Sequence, residues 1–252
     1  MLRCLRFIGR MLRKLALRRP HPSPLVVSGT QAARFFRQYD RENEALVEAA
    51  ATLLARAEVV FDIGANAGHF SRKILVSGYS GKIVLFEPVA NLLSIAVQTV
   101  AFSSNEKIFI NTALGEANGT IPLYLPHDAN IGWITAVGEK AKSGKMVDVR
   151  LSDTTRYIQM FKPDFIKIDV EGYEIHILRP FLKSINDSYR PGFLIELGWG
   201  LSNPNWDEFI SVAYGFIEKG YQFFSADSRQ TQLDLVELKS LDKTTDVILR
   251  PG

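Results

Sequence analysis

The sequence predicts an α/β fold: a mostly parallel sheet of seven strands flanked by helices, with a β insertion after the third strand. Three observations carry this. Apolar runs of strand length alternate with segments of helical spacing along most of the chain, the rhythm of successive strand, helix, strand units. The first such run, Val59–Ile63, passes through the small-residue turn Gly64-Ala65-Asn66-Ala67-Gly68 straight into a helical segment, and a nucleotide-like ligand can lie against such a turn. The chain also has 252 residues and 46% apolar content, enough to bury one full core and leave a small appendage.

That appendage is the N-terminal tail. Residues 1–19 carry Arg3, Arg6, Arg10, Arg13, Lys14, Arg18 and Arg19 and no acid; the whole chain has a formal charge of +3, so the remainder carries −4. The body therefore lacks the clustered basic residues of a nucleic-acid groove, and DNA and RNA are excluded as expected partners. At about 100° per residue, Leu5, Phe7, Ile8, Met11, Leu12 and Leu15 fall on one side of the tail and its basic residues on the other, as in an interfacial helix. Spanning a bilayer would take roughly 20 mostly apolar residues, and the uninterrupted apolar core of a secretory signal is missing too. The expectation is peripheral contact with a membrane surface through residues 1–19. A solvated basic tail, a helix docked on the body and an organelle transit peptide fit the same pattern.

Pro20-His21-Pro22-Ser23-Pro24 cannot continue a helix and reads as a stiff linker, which divides the chain into tail and linker over 1–25 and one domain over 26–252. Cys4 is the single cysteine, which excludes an intrachain disulfide and a Cys-rich zinc site and suits the cytoplasm.

Within the body, the residues from about Thr30 to Ala57 have helical spacing. Strands are expected near 58–63, 82–87, 107–112, 164–169, 192–198, 221–226 and 245–249, and helices near 68–77, 89–101, 173–186 and 205–219. Residues 115–151 break the rhythm. Thr120–Leu125 and Met146–Leu151 read as extra strands joined by a loop, too long a stretch for a plain connection. Ligands of open α/β sheets sit beyond the carboxyl ends of the strands, so this insertion is placed to cover a substrate. Its run His127-Asp128-Ala129-Asn130-Ile131-Gly132-Trp133 offers an imidazole, an acid, an amide and an indole to a polar, partly apolar acceptor, and His127 is a candidate base. Asn118-Gly119-Thr120 and Asn186-Asp187-Ser188 match the glycosylation sequon and, without a secretory signal, read as chance matches.

The turn after the first strand narrows the ligand. A dinucleotide fingerprint would put glycines at 64, 66 and 69, and only Gly64 is one, so a dehydrogenase is disfavoured. No Gly-Lys-Ser/Thr ending supports nucleoside triphosphate hydrolysis. Glu87 ends the second apolar strand, 25 positions beyond Asp62, where a carboxylate can accept both hydroxyls of a ribose. Asn111 and Thr112 end the third, where an adenine amino group would be read; an asparagine there is also an ordinary turn former. In Phe165-Ile166-Lys167-Ile168-Asp169-Val170-Glu171-Gly172-Tyr173-Glu174, Lys167 and Asp169 share one strand face. Glu171 and Glu174 suit a helix N-terminus on dipole grounds alone. Asp169 caps a buried strand and needs a partner such as Lys167, a ligand proton or a metal.

These blocks resemble the FkbM-type methyltransferases, a class I, Rossmann-like family that uses S-adenosylmethionine. The resemblance rests on Asp62–Ser71, on Phe86-Glu87-Pro88 with Asn111–Gly115, and on Phe165–Glu174, covering most of the body from about 58 to 199. It implies cofactor contacts at Asp62, Gly64, Asn66 and Ser71, with Gly68 closing the turn, and ribose binding by Glu87. It also implies an active centre around Asp169 and Glu171 and O-methylation of a hydroxyl on a sugar, glycolipid or related small-molecule acceptor. The chain departs from the family at Leu151-Ser152-Asp153, where a Leu-Asp-Asp step is common, which leaves the role of Asp153 open.

A sugar hydroxyl is a poor acid, and methyl transfer from a sulfonium needs its proton removed. Asp169, with its pKa raised by burial, is the expected base, and Glu196 at the end of Phe193–Leu197 is a second candidate. Two of these acids holding a divalent cation is the alternative, though no fixed ligand spacing marks a metal site. The contrasting reading of the whole chain is a non-catalytic protein of the same fold, recruited to membranes by its tail.

Overall fold

The structure, a computed structural model, describes residues 44–126, 134–138 and 144–252. The tail and linker expected over 1–25, and His127 through Trp133, lie outside the described residues. Of the helical spacing read from Thr30 onward, residues 44–49 and Ala51–Leu54 are helical.

In chain order the elements are β1 (Val59–Ile63), α1 (His69–Val76), β2 (Lys82–Phe86), α2 (Ala90–Thr99), β3 (Lys107–Ile110), β4 (Ala113–Gly115), β5 (Gly119–Pro126) and β6 (Gly144–Asp153). They continue with α3 (Thr154–Phe161), β7 (Phe165–Ile168), α4 (Glu174–Ser184), β8 (Gly192–Leu197), α5 (Trp206–Glu218), β9 (Tyr221–Ser225), β10 (Gln232–Leu233), α6 (Leu235–Lys239) and β11 (Thr245–Pro251). The main sheet runs β10-β9-β11-β8-β7-β1-β2-β3, with β3, β2, β1, β7 and β8 parallel and β11 antiparallel to both its neighbours.

This sheet has eight strands where the sequence predicts seven. The extra one, β10, is two residues long and pairs antiparallel with β9 at the sheet edge. Helix α3 was also not expected. Asp153 caps it, accepting from Thr155 N at 2.8 Å, which gives the departure at 151–153 a structural role.

Side chains alternate across the strands, and each face has its own core. On one face Phe61, Ile63, Phe86, Ile166, Ile168 and Ile195 pack with α4 and α5; on the other Val60, Ile83, Leu85, Phe165 and Leu194 pack with Phe70 and Ile74 of α1 and Ala96 of α2. Asp62 and Lys167 fall on the second face, in register with each other on neighbouring strands. The chain leaves β1 toward β2 on one side and reaches β7 on the other, so the crevice beyond the carboxyl ends of β1 and β7 is the topological switch point.

The insertion is a second sheet, β4-β6-β5, in which β5 and β6 pair antiparallel along their length and β4 runs parallel to the end of β6. Its Leu123, Val147 and Val149, with Ile134 and Ala136, pack on Val89, Leu92 and Ile95 at the start of α2. The apolar contact fixes the insertion over the carboxyl end of the main sheet. Neither sequon asparagine projects idly: Asn118 Oδ1 accepts from Asp153 N, and Asn186 Oδ1 accepts from Ser188 N and Oγ in a local turn.

Candidate active site

Strand register builds the site. Ile110, Phe86, Ile63, Ile168 and Ile195 are successive partners across β3, β2, β1, β7 and β8. The residue that follows each of them falls at the carboxyl end of its strand, giving one row: Asn111, Glu87, Gly64 and Asp169 just past their strands, and Glu196 as the penultimate residue of β8. Residues separated by tens of positions are thereby aligned along a single crevice.

At the centre of the row, β1 turns sharply. Gly64 has φ +74°, and a Cβ there would lie 1.8 Å from the Asp169 carbonyl oxygen. Gly64 N and Ala65 N both donate to the Phe86 carbonyl at 3.0 Å. Gly68, at φ +80°, caps α1. Asp62 is fully buried on the strand before the turn; Ser71 Oγ of α1 donates to its Oδ2 at 2.6 Å, and among the described residues Oδ1 accepts no hydrogen bond. Burial raises the Asp62 pKa, with Lys167 and Ser71 opposing.

Glu87 is buried and spread between two turns: Oε2 accepts from Asn66 N at 2.9 Å and Oε1 from Val89 N at 2.8 Å. Burial pushes its pKa up to about 7 against those two donors. Asn111 donates its amide hydrogens to the carbonyls of Glu87 and Pro88, at 2.8 and 2.9 Å, which braces the turn that carries Glu87. Thr112 is placed differently. Its buried hydroxyl meets the Ala113 and Arg150 carbonyls at 3.0 Å and Ser152 Oγ at 2.8 Å, so it fastens the insertion to the main sheet.

On the other side of Gly64 lie the acids. Lys167 Nζ is 2.9 Å from Asp169 Oδ2, 3.7 Å from Asp62 Oδ1 and 3.4 Å from the Gly64 carbonyl. Burial works against the Lys167 ammonium, and Asp169 and Asp62 outweigh it and raise its pKa. Asp169, Glu171 and Glu196 bring carboxylate oxygens within 4.8 Å of one another, a donor set of the hard-oxygen kind that also suits magnesium or calcium. Burial, then the charges of Asp169 and Glu174, push Glu171 up to about 9; Asp169, then burial and Glu171, push Glu196 up to about 10. The turn itself is held from below, where Asn203 Nδ2 donates to the carbonyls of Gly172 and Gly198 and Glu174 Oε1 accepts from Gly172 N.

These shifts set a pH dependence of stability. Glu171 and Glu196 hold protons to about 9 and 10 in the folded chain but to about 4.5 when exposed, so the folded state binds more protons between those limits. Stability then falls as pH rises from about 4.5 through 10. We expect denaturation midpoints between pH 6 and 10 to decline less in Glu196→Gln than in the parent protein; equal declines would place the responsible charges elsewhere.

A strand-end turn on β1, an acid after β2 and a cluster of acids after β7 and at the end of β8, in a sheet of this order, define an S-adenosylmethionine-dependent class I methyltransferase. Residues 62–223 match the FkbM methyltransferase domain model, and the chain belongs to that family, whose methyl donor is S-adenosylmethionine. Among solved structures, Trm1 from Pyrococcus horikoshii with S-adenosylmethionine superposes with a TM-score of 0.46 at 12% identity, over 92% of this chain and 58% of that one. Magnesium protoporphyrin IX methyltransferase from Synechocystis PCC 6803, with bound S-adenosylmethionine, gives 0.45 at 12% identity, covering 91% and 87%. An O-methyltransferase from Bacillus cereus gives 0.43 at 14% identity, covering 90% and 82%. A search of curated proteins returns no match.

The site's residues fit this donor. The buried Oδ1 of Asp62, which faces the Lys167 ammonium at 3.7 Å but accepts no hydrogen bond among the described residues, lies beside a turn with no room for a Cβ and is suited to holding a polar ligand close to backbone. Three residues of the site carried little signal in the sequence: Glu174 and Asn203, which brace the acid turn, and Thr135, which reaches it from the insertion.

Proposed function

We propose that the protein transfers the methyl group of S-adenosylmethionine to a hydroxyl of a sugar, glycolipid or related small-molecule acceptor. The observation that carries this reading is the row of strand ends, with an ion-paired Asp169 between the cofactor turn and two carboxyls that keep their protons at neutral pH. S-adenosylmethionine, when bound, supplies an electrophilic methyl on a sulfonium. The chain's residues do the rest. The turn from Gly64 to Gly68, positioned by Asp62 and Ser71, takes the aminoacyl end; Glu87 takes the ribose hydroxyls; Asn111 borders the adenine.

Asp169 is the carboxylate available to accept the hydroxyl proton, while Glu171 and Glu196, protonated, donate hydrogen bonds that orient the acceptor. Two carboxyls kept neutral beside one paired with the Lys167 ammonium is a division of acid and base roles by environment. The insertion from 115 to 151 covers the acceptor, and residues 1–19 bring the 26–252 domain to a cytoplasmic membrane surface. No helix among the described residues is long and apolar enough to cross a membrane.

Ribose binding makes the affinity pH-dependent. Only ionised Glu87 accepts two hydroxyls, and its pKa is about 7. We expect S-adenosylhomocysteine to bind more tightly as pH rises from 6 to 8, by calorimetry, and Glu87→Gln to weaken binding about tenfold and flatten the profile. A sloping profile in the variant would assign the proton to another group.

The 4.8 Å cluster of Asp169, Glu171 and Glu196 favours a second reading, in which a divalent cation acidifies the hydroxyl. Turnover abolished by a chelator and restored by magnesium supports that route over Asp169 acting as the base. The function itself is tested by incubating the protein with labelled S-adenosylmethionine and fractionated glycans, lipids and small molecules. Label on an oxygen of one fraction is expected. Label in none revives a non-catalytic role, and label on nitrogen or carbon overturns O-methylation.

A further inference from the structure

Among the described residues, the side chain of Thr135 ties the insertion to the acid turn. Thr135 Oγ1 donates to the Glu171 carbonyl at 2.7 Å and accepts from Val137 N at 2.9 Å. Its backbone is tied at the same time to β5, Tyr124 N donating to the Thr135 carbonyl at 2.8 Å and Thr135 N to the Tyr124 carbonyl at 3.3 Å. The residue is 5% exposed, and its neighbours Ile134 and Ala136 lie in the apolar contact between insertion and α2. Glu171 has φ +51°, a left-handed conformation that a non-glycine residue holds only where its surroundings impose it.

Asn203 and Glu174 anchor the next residue, Gly172, from the body, so the Glu171 peptide is gripped from two independent parts of the chain. The side chain beyond that peptide is one of the three carboxyls that converge within 4.8 Å.

We propose that Thr135 is a positioning residue: it couples the insertion to the acid turn and holds Glu171 in its left-handed conformation with the carboxyl facing Asp169 and Glu196. The hydroxyl is what matters, since valine has the same shape but neither donates to the Glu171 carbonyl nor accepts from Val137, whereas serine does both. The proposal rests on the reading of Glu171 as an acceptor-facing group.

The test uses the full chain with Thr135→Val and Thr135→Ser. Amide hydrogen exchange of the segment 169–174 is followed with and without S-adenosylhomocysteine, using 193–197 as a reference segment. Exchange at 169–174 is expected to rise at least tenfold in the valine variant, to stay within twofold in the serine variant, and to leave the reference segment unchanged. In the acceptor fraction that the parent protein labels, Thr135→Val should lower kcat at least tenfold while S-adenosylhomocysteine affinity stays within threefold, and Thr135→Ser should restore turnover. Unchanged exchange at 169–174, equal behaviour of the two variants, or a rise shared by the reference segment would overturn the proposal. The exchange measurement needs no acceptor, so it separates this failure from a parent protein that labels nothing.

Discussion

Asp169→Asn should reduce methyl transfer by about a hundredfold to ten-thousandfold, the usual contribution of a positioned proton acceptor, while leaving S-adenosylhomocysteine affinity within a few-fold. Asparagine has nearly the same shape and its Oδ1 can still accept from Lys167 Nζ, which lies 2.9 Å from Asp169 Oδ2. What it loses is the ability to take a proton. The variant should stay folded, because removing one negative charge relieves the repulsion that is the leading cause of the raised Glu196 pKa. Single-turnover label transfer and calorimetry on the same preparation separate chemistry from binding. Turnover within threefold of the parent protein would remove Asp169 from the proton-transfer role and direct attention to the cation-assisted route.

Gly64→Ala should unfold the cofactor turn. Two penalties act together: a left-handed φ of +74° for a residue with a Cβ, and that Cβ placed 1.8 Å from the Asp169 carbonyl oxygen. Backbone cannot rotate away as a side-chain tip can, so the ends of β1 and β7 must separate. The expected cost is about 3–5 kcal/mol, on the order of 10 °C in Tm for a domain of this size, with cofactor affinity lost. Gly78→Ala is the matched control. It has φ +96° but nothing within 4 Å of the added Cβ, so only the strain of about 1–2 kcal/mol applies. Similar Tm losses in the two variants would show that close approach of β7 is not what requires glycine at 64.

Much of this architecture was legible because the parallel strands are buried on both faces. Val59–Ile63, Lys82–Phe86 and Phe165–Ile168 are near-continuous apolar runs, and each ends in a turn residue or an acid that marks the carboxyl end. Glu87 and Asp169 could be named from those endings alone. Their alignment into one row could not, since it depends on pairing register between strands that sit far apart in the chain.

Helix α3 escaped because its eight residues are bracketed by an irregular insertion, although Asp153-Thr154-Thr155 already held its cap. A two-residue strand such as β10 has no periodicity to read. Thr112 looked like a strand-end ligand group, yet the insertion folds back so that Ser152 and the Arg150 carbonyl occupy its hydroxyl. Thr135 is an ordinary threonine in sequence; only the packing of the insertion brings it to Glu171, 36 positions away.

On the proposed function, the donor lies across the ends of β2, β1 and β7 with its sulfur turned toward the acids. A crystal structure of the protein with S-adenosylhomocysteine measures this directly. Both ribose hydroxyls should rest on the Glu87 carboxylate and the aminoacyl end against Gly64–Gly68, with the sulfur facing Asp169 and Glu171 and room for an acceptor oxygen at about 3–3.5 Å from the methyl position. A ribose held away from Glu87, or a sulfur directed away from residues 169–171, would contradict it.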